Sequence, residues 1–156
     1  MASARNNTGN TTSVDRTVTF GNTYLYRIAA VNSTGLSAYS PVPPAIASVA
    51  VPAIPAAPTS FTVSAVKANG NNYTATLTWG PVTWPDPQPS SFTIQRANNL
   101  DFTTGLTSFT AAGTARSLTQ TVTRNTVYYY RIRANNNVGG SSALKNALPF
   151  PIRTGP

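Results

Sequence analysis

Apolar and polar residues alternate along much of the chain with a period of two, the signature of strands that bury one face. In "YTATLTW" (73–79), Tyr73, Ala75, Leu77 and Trp79 share one face and threonines fill the other. "SFTVSAV" (60–66) sets Phe61, Val63 and Ala65 on one side, and "SFTIQR" (91–96) repeats the device with Phe92 and Ile94. In "YYYRIRA" (128–134), Tyr128, Tyr130, Ile132 and Ala134 point one way while Tyr129, Arg131 and Arg133 point the other. No stretch keeps a helical period, and the abundant Thr, Val and Tyr suit half-buried pleated strands. Gly, Asn and Pro turns separate these segments about every ten residues, which predicts an antiparallel sandwich.

The pattern occurs twice. At an offset of 104 residues, "TVTFGNTYLYRIAAVNSTGLSA" (17–38) lies over "TVTRNTVYYYRIRANNNVGGSS" (121–142) with 11 of 22 positions identical. A repeat of this length is a whole domain rather than a solenoid turn of about 20–50 residues. The segment from Pro55 to about Ile152 resembles a fibronectin type III domain of the kind found in secreted bacterial proteins. "PAAPTSFTVSAV" is similar to that family's proline-led first strand, and Trp79 in "LTW" to the tryptophan of its second. "FTIQR" resembles the third strand, and "YYYRIRANNNVGGSS" the sixth with its turn; "VTRNTV" replaces the usual leucine and proline before the corner tyrosine. The resemblance implies that Tyr128 is the corner tyrosine, its hydroxyl bonded to nearby backbone and its ring sealing the core. It likewise places Trp79 between the sheets, with Tyr130 and Ile132 in the core and Tyr24 and Tyr26 as their counterparts in the first copy.

Applied to residues 1–51, the same template supplies only the last three strands: "SVDRTVTF" (13–20), "TYLYRIAAVN" (23–32), and "LSAYSPV" running into "AIASVAV" (36–51). The expected fold is all-β: an antiparallel immunoglobulin-like, fibronectin type III β-sandwich over 58–156, preceded by a Pro/Ala-rich linker at 52–57 and a three-stranded partial repeat at 1–51. The apolar face of Val18, Tyr24, Tyr26, Ile28 and Ala30 needs something packed over it. Strands upstream in a longer protein, another molecule, or the second domain's own sheet are the three ways to supply it. The proline-rich stretch 41–58 reads as a stiff spacer and not as a membrane helix.

Composition then removes most chemistry. The chain lacks His, Cys and Glu, and its acids are Asp15, Asp86 and Asp101, in unrelated contexts. Serine or cysteine triads, paired glycosidase carboxylates, zinc sites and calcium loops all need residues that this chain does not offer together. The expectation is therefore no enzyme, no metal and no cofactor. The net charge of +8 comes from basic residues dispersed along the chain, which suits a solvated surface or an anionic partner. Specific nucleic-acid binding is not expected.

Two surfaces remain as candidates. Trp84, in the loop "GPVTWPDPQPSS" (80–91), is placed either to stack on a sugar or anchor a partner, or to fold back over the end of the sandwich. Tyr129, Arg131 and Arg133, with Arg27 equivalent to Arg131, suit a polyanion or a protein partner; alternatively the arginine stems cover tyrosine rings on a solvated face. N-x-[ST] sequons begin at Asn6, Asn10, Asn32 and Asn72. The chain reads as a non-catalytic spacer or protein-interaction and adhesion module of a larger secreted or cell-surface protein. Its expected partners are other domains of that chain or neighbouring subunits. A carbohydrate or anionic-glycan binder, and a subunit completed by a neighbouring chain, are the alternatives.

Overall fold

The computed structural model describes residues 15–42, 47–83 and 87–156. Among these residues the regular elements are all strands, and the chain divides into two compact units, Met1–Val51 and Pro52–Pro156. The first unit holds β1 (Thr23–Tyr26), β2 (Val31–Asn32), β3 (Gly35–Leu36) and β4 (Ala47–Ala50). The second holds β5 (Phe61–Lys67), β6 (Asn72–Trp79), β7 (Ser91–Ala97), β8 (Thr107–Ala112), β9 (Ser117–Thr123), β10 (Val127–Asn135), β11 (Lys145–Asn146) and β12 (Ile152–Arg153).

In the second unit, one antiparallel sheet runs β5-β6-β9 and the other β11-β10-β7-β8, with β12 also paired to β10. The alternation explains the register. Phe61 lies opposite Trp79, Val63 opposite Leu77, and Ile132 opposite Ile94, so the inward positions of neighbouring strands coincide. Phe61, Leu77, Trp79, Phe92, Ile94, Tyr130, Ile132 and Ala134 are buried in one core, with Ala65 and Tyr73 partly buried against it. Trp79 stands edge-on between Phe61 and Phe92, at centroid distances of 6.4 and 5.5 Å, and so joins the two sheets. Such edge-to-face pairs add stability beyond area burial alone.

The corner is built as one hydrogen bond. The hydroxyl of Tyr128 accepts from the backbone N–H of Thr123 at 3.1 Å, tying the start of β10 to the end of β9. In the first unit the hydroxyl of Tyr24 accepts from Thr19 N–H at 2.7 Å. Hydrogen bonds from the Thr19 side chain and backbone hold the Tyr24 hydroxyl below its ordinary pKa.

The two sides of the sandwich differ. The last strand is split, β11 pairing at Arg131 and Ile132 and β12 at Val127 and Tyr128. In the break, Leu148 N–H donates to Phe61 O and Leu148 O accepts from Val63 N–H, so this segment closes the β5 edge. On the opposite side, β8 and β9 each pair with one neighbour only among the described residues.

Residues 52–57, expected as a linker, instead pack as part of the second unit. Pro55 is fully buried, Ala56 lies against the core, and Asn136 Nδ2 donates to Ala53 O at 3.1 Å. A proline-rich segment is already extended, so docking it sacrifices little chain entropy.

The first unit is a long, interrupted hairpin. β1 pairs β4 with Tyr24 opposite Val49 and Tyr26 opposite Ala47, Ile28 bridges Ser40, and β2 pairs β3. The other expected strand, 13–20, begins outside the described residues, and its described part, 15–20, is not paired as a strand. The equivalent strand of the second unit, β9, is held by β6. No counterpart of β6 lies among the described residues of the first unit, so 15–20 has no ladder to join. The turns also differ. Ala30 N–H donates to Ser37 Oγ, whereas Ala134 N–H donates to Ser142 Oγ, so the second copy's turn is longer by one residue and the ungapped match slips there.

Candidate interaction surfaces

Trp84 lies outside the described residues. The other expected surface, the outward face of β10, is described in full. Tyr129, Arg131 and Arg133 are all half-buried. Arg131 Nε donates to Gln95 Oε1 at 2.7 Å, and its guanidinium carbon sits 3.9 Å from the centre of the Phe102 ring. Phe102 comes from the loop after β7. There Asn99 Oδ1 accepts from Thr103 and Thr104 N–H, and Phe102 itself takes a positive φ of 57°. The loop thereby lays a buried phenyl ring over the sheet, and Arg131 caps it. Tyr129 meets Phe150 edge-on at 5.1 Å. Two of the three residues proposed as a ligand face thus already hold neighbours on the protein, and the ring under Arg131 is Phe102 and not a tyrosine. In the first unit, Arg27 stacks over Tyr39 at 4.0 Å.

A second surface was not singled out in the sequence. Between the free edges of β8 and β9 runs a groove of about 470 Å³, lined among others by Arg96, Thr107, Phe109, Leu118 and Gln120. Arg96 follows Phe92 and Ile94 at period two, so β7 aims it at the core side, and Tyr130 lies directly opposite it on β10. Its guanidinium carbon stands 5.6 Å from the Phe109 ring centre and 5.2 Å from that of Tyr128. Arg96 hydrogen bonds the Tyr130 hydroxyl, which in turn donates to Gln120 Oε1 at 3.4 Å. Gln120 Nε2 is in turn a buried N–H group with no acceptor among the described residues. Burial pushes the Tyr130 hydroxyl up to about 12, against the charge and hydrogen bond of Arg96, which pull it down. The sequence signal was present: a charge at an inward-parity position, at the end of "FTIQR".

Among the described residues, no group of three or more His, Cys, Asp or Glu side chains comes together. No helix among them is long and apolar enough to cross a membrane.

This geometry can be set beside known proteins. The FN1–FN3 domains of chicken CNTN1 superpose with a TM-score of 0.55 at 18% identity, over 91% of this chain and 46% of that one. The fn3 domain of the human collagen alpha-1(XX) chain gives 0.46 at 17% identity, over 69% of this chain and 88% of that domain. The chain thus spans less than half the length of the CNTN1 structure. No family model matches the sequence, and no curated protein matches it. The fold is an antiparallel immunoglobulin-like β-sandwich of the fibronectin type III kind.

Proposed function

We propose that the chain is a non-catalytic spacer and protein-interaction module of a larger secreted or cell-surface protein. The observation that carries this reading is the tandem repetition of one device, a tyrosine corner followed by a hairpin, at Tyr24 and again at Tyr128. Repeating one sandwich device along a chain sets distance and presents surfaces. The arginine face supports this over glycan or polyanion binding, because Arg131 and Tyr129 are engaged internally. An antibody against residues 52–156 should label intact source cells or their medium. Labelling only after permeabilisation would overturn the extracellular placement.

A second reading has its own observation. Tyr26 and Ile28 are 39% and 73% exposed, while their counterparts Tyr130 and Ile132 are 1% and 0% exposed. The first unit then serves as a half-sandwich completed by further strands, in the same polypeptide or in a neighbour. Light scattering across a concentration series tests the intermolecular version, which requires the mass to rise above that of one chain.

A further inference from the structure

The groove between β8 and β9 combines three properties that point to one kind of occupant. First, its charged group is a strong donor, the guanidinium of Arg96. Neither acid of the described residues, Asp15 or Asp101, lines it. Second, the guanidinium is held between the Phe109 and Tyr128 rings, which fixes its position without neutralising its charge. Third, the flanking strands carry unpaired backbone edges, the template on which an extended chain adds as a further strand. The remaining edge of the same sheet is broken around Pro149 and Pro151, so added strands are directed to this side.

We propose that this groove docks an extended, acidic segment of a partner protein, which pairs with the free edge of β8 and places an acidic side chain against Arg96. The carboxylate meets a guanidinium whose groove is lined by no acid of the described residues. This deepens the interaction reading above and rests on it, naming the chemistry of the partner.

The test uses the full chain, isotope-labelled, titrated with the capped peptide Thr-Val-Thr-Glu-Val-Thr-Val and followed by amide chemical shifts. Shifts should concentrate in Thr107–Thr110 and Leu118–Thr121, and replacing the peptide's Glu by Gln should weaken binding by about tenfold or more. Arg96→Met should weaken binding by at least about tenfold, with an intact melting transition as the check on folding. Equal affinity of the Glu and Gln peptides overturns the proposal. So does full competition by free acetate at the peptide's own concentration, which would mark a small-anion site, or an absence of shifts at millimolar peptide. None of these failures bears on where the protein is located, so the antibody result stands independently.

Discussion

Ile132 and Ile28 occupy the same position in the two copies, and truncating each to alanine separates a covered face from an uncovered one. Ile132 is fully buried on β10, opposite Ile94, whereas Ile28 is 73% exposed. Ile→Ala removes the side chain beyond Cβ, at about 0.8 kcal/mol per buried carbon. Because the close-packed core relaxes only partly around the cavity, the total cost of Ile132→Ala should be about 3–4 kcal/mol. Against a total domain stability of about 5–15 kcal/mol, that is a large fraction. With a urea dependence of about 1–3 kcal/mol per M, the unfolding midpoint falls by at least about 1 M. The fluorescence of Trp79, which is buried in the same core, reports it. Ile28→Ala should leave stability within about 0.5 kcal/mol, as surface substitutions do. A loss of 2 kcal/mol or more at Ile28 would refute the reasoning, because it would mean that the first unit's apolar face is packed in solution, and so would a negligible loss at Ile132.

The Tyr130 hydroxyl titrates higher in the folded chain than its ordinary 10.0, at about 12, so the native state holds that proton more tightly. Its contribution is complete below pH 10 and lost as pH rises towards 12; it amounts to no more than about 2.7 kcal/mol, and solvent screening at the groove lowers it. Urea midpoints of the parent chain should therefore fall between pH 10 and 12 more steeply than those of Tyr130→Phe, and parallel curves would contradict the burial argument. Gly105→Ala should lower stability by more than the roughly 1–2 kcal/mol of a left-handed alanine, since φ is +62° and the new Cβ would strike Asn98 Oδ1. Gly70→Ala has a similar φ of +61° but open space around it, and in thermal melts it should show the smaller loss. Arg131→Ala should destabilise the second unit by about 1–2 kcal/mol through loss of the Phe102 stacking and the Gln95 hydrogen bond. An unchanged melting temperature would show that the side chain is free after all.

The strands were legible where burial was one-sided. The alternation in "YTATLTW" and "YYYRIRA" maps onto the inward positions of β6 and β10 because one face of each strand meets the core and the other does not. The role of Arg131 was harder to read, because it depends on a loop whose Phe102 returns over the sheet from far away in sequence. The groove at Arg96 was hidden for a similar reason. Parity marked the residue as inward, but only strand order reveals that the core ends there, between two sheet edges. The packing of Pro55 against the second unit was also beyond periodicity, since a proline run has the same pattern whether it docks or hangs free.

The split last strand has a consequence for assembly. With the β10 side closed by its proline-broken partner and by Leu148, strand addition is confined to the β8 and β9 side. A sandwich that offers edges on both sides can be extended without end into a fibre; one that offers them on a single side can only pair. Edge-to-edge association of the second unit through β8 and β9 would therefore terminate at two partners and would not grow into an open polymer.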